Sequence, residues 1–568
     1  MSALFDTLSA PGGRYGLSPR GWLVLMLLAV AALAPGLFSI PAMDRDESRY
    51  AQASRQMMES GDYLNIKLQD VDRHKQPAGT YWLQSLFAQP FGGAEAPIGA
   101  HRLPGFVFAL LAVAVTAWLG ARLFGPGTGF IAGLILATTL VLAVEARTAK
   151  TDAILLGVGM IAQSALMILM VEVKERRPEF ISWPAVLWAA LGVSLLIKGP
   201  IFFMVSALSL IAFTAWKRDP GLLLKVRPLP GILLALVIFA PWFIAINLET
   251  DWAFARTAVG YSMLEKVGEA QEAHSGPPGF HLMATLLTLW PGVALLALGL
   301  FTAWRMRGDD RVRFLIAWIV PTYIVFEIVA TKLPHYTLPS FPAIALLIGL
   351  GVAQAGDILS FSRAKLVHGV FAGAAVIVAL LLGAVPVAGS IYLGETPSLA
   401  AWISIGLGAL AAVAIAAMAL KPSGTRLLAT GAAAAALYAG AFGVAIPQVD
   451  ALWPSERASR LVDRVTGCER LTLATSGYEE PSNMFNLGTG VFLADEPVQA
   501  ANVLLSDPRC GLAIVESGGI LEFGRRIEEG GGELRLLATV EGFNAVKGDD
   551  LALSLYTLES SDLRLAPR

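Results

Sequence analysis

Residues 104–124 read PGFVFALLAVAVTAWLGARLF, residues 127–145 GTGFIAGLILATTLVLAVE, and residues 152–171 DAILLGVGMIAQSALMILMV. A helix needs roughly 20 largely apolar residues to cross the hydrocarbon layer of a membrane, and each run meets that length with a break between it and the next. Further runs of the same kind lie at about 22–40, 183–197, 199–216, 229–248, 280–304, 312–331, 340–356, 368–390, 400–420 and 425–446. Thirteen spans are therefore expected. Composition agrees: of 568 residues, 55% are hydrophobic and only 15% charged, with a mean hydropathy of +0.62. Soluble domains carry about 25% charged residues, so an ordinary soluble enzyme is excluded, as are a disordered and a fibrous chain. The net charge of −2 gives no basic field for nucleic acid. The expectation is a polytopic α-helical membrane protein.

Lysine and arginine collect on alternate connections: Arg14 and Arg20, Arg122, Lys174/Arg176/Arg177, Lys217/Arg218/Lys225/Arg227, Arg305/Arg307/Arg311/Arg313, Arg363/Lys365 and Lys421/Arg426. By the positive-inside rule that side is cytoplasmic. The N-terminus then lies inside on an uncleaved first span, and thirteen crossings place residues 447–568 outside, in the periplasm of a Gram-negative cell. Cys468 and Cys510 both fall in this tail, where a disulfide is permitted.

Two regions, set against a membrane domain of residues 1–446, are not spans. The first outer loop, 41–103, carries a helical pattern from Asp46 that Gly61 stops, then a second around Tyr81-Trp82-Leu83. Short amphipathic helices with Tyr and Trp suit the interface plane. The tail, 447–568, alternates apolar runs at Leu471–Ala474, Val491–Ala494, Leu512–Val515, Leu536–Val540 and Leu551–Leu558 with helical stretches at Glu456–Val465 and Leu521–Glu529. That is a small α/β domain without a nucleotide fingerprint or nucleophile elbow, and a supporting or acceptor-binding role is expected of it.

Ionisable groups at a membrane boundary are costly and tend to be functional or paired. Here five successive outer connections each bring a cation. The first loop has Asp44, Asp46, Glu47, Arg49, Asp72, Arg73, His74 and Lys75; the next has Arg147, Lys150 and Asp152; then come Lys198, the group Arg256, Glu265, Lys266 and His274, and finally Lys332 and His335. Lysines and arginines so gathered suit a lipid-borne phosphate. Carboxylates beside a phosphate need a task of their own, as a general base or in binding a substrate hydroxyl or ammonium.

In order along the chain, Asp46-Glu47-Ser48-Arg49-Tyr50-Ala51, Gly61-Asp62-Tyr63, His74-Lys75-Gln76-Pro77-Ala78-Gly79-Thr80-Tyr81-Trp82, Thr151-Asp152, Lys198-Gly199-Pro200, Pro241-Trp242-Phe243, His274-Ser275-Gly276-Pro277-Pro278, Lys332-Leu333-Pro334-His335-Tyr336-Thr337-Leu338-Pro339 and Tyr478-Glu479-Glu480-Pro481-Ser482 resemble the motifs of GT-C glycosyltransferases. The likeness is to the ArnT-like aminoarabinose transferases and the related protein O-mannosyltransferases. The resemblance implies the GT-C fold and inverting transfer of a sugar from a polyprenyl-phosphate carrier to an envelope acceptor. Lipid A or lipopolysaccharide is the first expectation, a protein hydroxyl the second, and membrane lipids surround both. It implies Asp46 and Asp152, with Glu47, as catalytic carboxylates. Arg49, Lys75, Lys198, Lys266, Lys332 and Tyr336 would hold the donor phosphate, and His74, Tyr81, Tyr261, His274 and His335 would contact substrate. His74 stands where the family carries Glu, and Tyr261 where it carries His, both positions associated with a metal there. No cofactor is therefore expected, with His74 as the one candidate ligand if a divalent metal binds. A lipid-linked glycan flippase is the competing class, but it calls for charges near the bilayer midplane and a repeat between halves.

Overall fold

The computed structural model describes residues 7–8, 10–12, 16–171, 182–258, 260 and 276–566. Every expected span coincides with a helix or a bent pair of helices. Seven described helices are long and apolar enough to cross a membrane, or nine if each of two bent pairs is one span; thirteen crossings are not reached by that criterion. The helices Pro19–Leu33, Trp183–Lys198 and Ile201–Lys217 are apolar but shorter, and Asp310–Ile328 opens on Asp310, Arg311 and Arg313. The runs 127–145 and 280–304, expected as straight spans, are broken. Pro126–Thr138 and Leu140–Ala146 meet at 61°, and Phe280–Thr288 and Gly292–Arg305 at 108°. The breaks face each other, and the Leu140 amide, released from its own helix, donates to the Trp290 carbonyl at 2.9 Å. Pro291 has no amide to continue the second helix. Large side chains fill the bundle interior, among them Phe130, Phe202, Trp290, Phe314, Trp318 and Phe341.

The tail forms a five-stranded sheet in the order Phe492–Ala494, Thr472–Ser476, Gly511–Glu516, Asp549–Leu558 and Leu534–Asn544. The first three strands are parallel and the last two antiparallel. Side chains alternate across it. Ala513 and Val515 face the helices Pro497–Ser506 and Ile520–Glu529, whereas Leu512 and Ile514 pack with Ala458 of the helix Pro454–Val462. All five expected strands form; the helices Pro481–Leu487 and Pro497–Ser506 come in addition to those the sequence pattern marks. Cys468 and Cys510 are joined, with Cα atoms 5.8 Å apart.

The first loop holds helices Asp46–Ser60 and Gly79–Ala88. Gly61, at φ 70°, ends the former in the left-handed conformation that glycine adopts most readily. The Asp46 helix does not lie open on a surface: Glu47, Ser48, Gln52, Ser54 and Arg55 are all buried. Part of its polar face is covered by the tail, where Arg55 Nη1 donates to the Phe485 carbonyl at 2.5 Å and Gln52 Nε2 to Thr489 Oγ1 at 2.8 Å.

Candidate active site

The Asp46 helix starts from a tight turn. Arg45 occupies φ 62°, ψ −123°, a conformation costing a side-chain-bearing residue about 1–3 kcal/mol. Asp46 and Glu47 follow in the first helical turn, where the helix dipole favours negative charge. Their surroundings are opposite. The Asp46 side chain is 63% exposed, with Arg49 Nη1 3.8 Å away. Glu47 is 2% exposed and gripped by Arg102, whose Nε and Nη2 donate at 2.8 and 2.7 Å. The Met43 and Ala149 amides donate to the same carboxylate at 3.0 and 2.8 Å. Both Glu47 oxygens are thus taken, and the geometry does not favour a catalytic part for it. Glu47 ties the first loop to the 147–151 connection and to the span beginning at Ile98. Arg102 also donates to the carbonyls of Leu37, Ile40 and Pro41, satisfying the chain that leaves the first span.

The second carboxylate, Asp152, opens its helix and receives both 2.7 and 2.8 Å bonds from Lys198 Nζ. Lys198 stands at the end of Trp183–Lys198, which Gly199 closes at φ 73°, ψ −151°, a region essentially confined to glycine. His335 lies between two acids: its Nε2 is 3.8 Å from Asp152 Oδ1 and its Nδ1 3.6 Å from Glu145 Oε1. Lys150 Nζ donates to Glu145 Oε1 at 3.2 Å. Burial alone pushes the Lys150 ammonium down, but Glu145, Asp152 and Asp46 outweigh it and hold its pKa above the ordinary value.

The Asp46 charge reaches this group and a cluster of rings. Tyr50 and Tyr81 stack with centroids 5.2 Å apart, Arg73 lies 5.3 Å over Tyr50, and Arg73 Nε donates to the Tyr81 hydroxyl at 3.1 Å. Burial raises both phenols; it would lower Arg73, but the two tyrosines and Asp46 raise it overall. Tyr81 is fully buried, so it positions Arg73 rather than offering a surface to substrate. His74 Nε2 sits 3.2 Å from Asn65 Oδ1 and 3.8 Å from Asp72 Oδ2. Burial lowers its pKa, against the opposing Asp72 charge. Among the described residues no three His, Cys, Asp or Glu side chains gather as metal ligands.

Lys332, 7% exposed, points into the protein: Nζ donates to the Pro277 carbonyl at 3.2 Å and lies 3.7 Å from Glu327 Oε2. Glu327 is also 3.5 Å from His281 Nδ1. The Tyr336 ring stacks on His281 at 6.5 Å and meets His335 edge-on at 5.2 Å. Lys75 is exposed in the first loop. Lys266, Tyr261 and His274 lie outside the described residues. The structure therefore brings Asp152, Lys198 and His335 into one cluster, with Tyr336 against His335 and Asp46 near enough to act on Lys150. Glu145, Glu327, His281 and Arg102 escape sequence reasoning. Glu145 and Glu327 close otherwise apolar runs, and a carboxylate at that depth is a legible signal.

The fold, a bundle of apolar helices with a sheet-containing tail, is of the GT-C type. The ArnT-like likeness is supported by both sequence and fold. Residues 75–244 match the dolichyl-phosphate-mannose-protein mannosyltransferase family. The chain is 27% identical over 344 residues to the undecaprenyl phosphate-alpha-4-amino-4-deoxy-L-arabinose arabinosyl transferase of Erwinia tasmaniensis, covering 59% of this chain and 61% of that one. It is 25% identical to transferase 2 of the same description from Pseudomonas fluorescens, over 66% of each chain. The aligned part thus spans about three-fifths to two-thirds of these relatives. The crystal structure of ArnT from Cupriavidus metallidurans bound to undecaprenyl phosphate superposes with a TM-score of 0.72 at 19% identity, covering 94% of this chain and 98% of that one. This likeness establishes the fold.

Proposed function

We propose that the protein is an inverting glycosyltransferase that moves a monosaccharide from a polyprenyl-phosphate carrier to lipid A or lipopolysaccharide. The relatives named for undecaprenyl phosphate-linked aminoarabinose support the donor class. The observation that carries the reading is an exposed Asp46 whose charge reaches Lys150, next to a half-buried Asp152–Lys198–His335 cluster drawn from separate connections of the bundle. In the reaction the acceptor oxygen attacks the anomeric carbon, the bond to the carrier phosphate breaks, and polyprenyl phosphate leaves with the electron pair. Arg49, Lys75, Lys266, Lys332 and Tyr336 are assigned to the phosphate, whose gain of charge makes cationic contacts stronger in the transition state. Lys198, committed to Asp152, acts by fixing that carboxylate. Asp46 accepts the proton of a hydroxyl acceptor, or orients the sugar when the acceptor is an anionic phosphate.

The same reading assigns residues 1–446 to the membrane catalytic domain and 447–568 to a periplasmic domain. It sets the N-terminus in the cytoplasm and the protein in the bacterial inner membrane.

The test compares lipid A mass spectra from cells with the wild-type gene, with Asp46→Asn and with the gene deleted. The expected result is a sugar-sized mass increment present only in wild type. Unchanged lipid A alongside altered glycoproteins would instead favour the protein acceptor, the reading consistent with the mannosyltransferase family match. A fully active Asp46→Asn protein would point to a flippase.

A further inference from the structure

The tail reaches the residues on either side of Asp46. Tyr478 Oη donates to Asp44 Oδ2 at 2.9 Å. Glu480, its side chain 9% exposed, places Oε2 3.7 Å from Arg45 Nε. These groups are themselves held by Asn483, whose Nδ2 donates to Thr475 Oγ1 at 2.9 Å and to the Tyr478 carbonyl at 3.2 Å. On the other flank Glu47 is fixed by Arg102. Asp44 and Glu47 are therefore hydrogen-bonded on either side, and the half-exposed Arg45 is paired with Glu480, while Asp46 itself stays open. Arg45 carries the strained backbone of the turn, at φ 62°, ψ −123°. Cohesion between tail and first loop does not require these contacts, because Arg55 over the Phe485 ring at 4.4 Å and Gln52 on Thr489 already supply it further along the helix.

We propose that Tyr478 and Glu480 of the tail are positioning residues that hold the Asp44–Glu47 turn and so aim Asp46 at the reacting sugar. The inference rests on Asp46 being the reacting carboxylate. A misplacement of about 1 Å in a reacting group can cost as much as a hundredfold in rate, so a turn that must be clamped to stay strained is a natural control point. Hydrophobic packing of the tail would not supply this directional restraint.

The experiment uses the purified full-length protein in liposomes, with undecaprenyl-phosphate-aminoarabinose as donor and lipid A as acceptor. Tyr478→Phe keeps the ring and removes the hydroxyl. It is expected to lower kcat by about 10–100-fold with donor KM within about twofold, and to speed hydrogen exchange at the amides of residues 44–48. Glu480→Gln, which removes the charge facing Arg45, is expected to lower kcat in the same direction with donor KM within about twofold. Gln52→Leu, which removes a tail contact away from the turn, is expected to retain wild-type kcat. A Tyr478→Phe protein with unchanged kcat overturns the proposal. So does a loss that Gln52→Leu reproduces, since that is general cohesion. Normal transfer by Asp46→Asn, or no transfer by wild type, overturns the functional reading instead.

Discussion

Asp46 and Glu47 are adjacent acids at the start of one helix, and what separates their roles is Arg102, which lies 55 residues further on. Arg102 is fully buried and spends its donors on Glu47 and on the carbonyls that end the first span. Removing one member of a buried ion pair leaves the other charge uncompensated and costs about 3–5 kcal/mol, whereas replacing both is far milder. Glu47→Gln is accordingly expected to lower the thermal midpoint of the purified protein sharply, and Glu47→Leu with Arg102→Met to recover much of the loss. Asp46→Asn, at a side chain 63% exposed, is expected to melt with wild type. If Glu47→Gln kept its melting temperature and lost only transfer, Glu47 would return to the chemistry. The motif Asp46-Glu47 shows that acids matter here, but it cannot divide them. Burial of Glu47 depends on a partner whose place in the sequence, inside an apolar stretch at His101-Arg102, gives no hint of pairing.

At the scale of elements, the apolar runs mark where helices lie because a 20-residue hydrophobic stretch has few other stable uses. Their bends are not legible. The break at Thr139 depends on Leu140 donating to Trp290, a contact between stretches 150 residues apart that leaves the hydropathy of each unchanged. The Lys198-Gly199-Pro200 punctuation is legible as a turn, and the structure makes its consequence specific. The space that a Cβ on Gly199 would enter is open, so no clash decides the site; its φ of 73° with ψ −151° does. Gly199→Ala is expected to cost about 1–3 kcal/mol and to rotate Lys198 away from Asp152. Transfer activity of the membrane-reconstituted variant should fall while the assembled helices persist by circular dichroism. Wild-type activity in Gly199→Ala would mean that Lys198 does not need this cap to reach Asp152.

For the whole molecule, the tail matters through two couplings, one covalent and one across the domain boundary. The Cys468–Cys510 disulfide spans a sequence separation of 42. Closing a loop of that size restricts the unfolded tail by about 4 kcal/mol in the chain-entropy account. The pair is visible in the sequence only as two cysteines in one compartment; their meeting depends on the strand Gly511–Glu516 lying beside Thr472–Ser476. Because Asp44 and Arg45 are held by Tyr478 and Glu480, loosening the tail should reach Asp46 before it reaches the bundle. The bundle's interior is a separate apolar core that includes Trp290 and Trp318. The Cys468→Ser, Cys510→Ser protein is therefore expected to show two separated thermal transitions. The tail should become protease-sensitive first, and transfer should be lost in step with it while helical circular dichroism persists to higher temperature. Reduction of the wild type should reproduce the same order of events. If activity survived loss of the tail and failed only when the helices melted, the aim of Asp46 would have to come from the Glu47–Arg102 side of the turn alone.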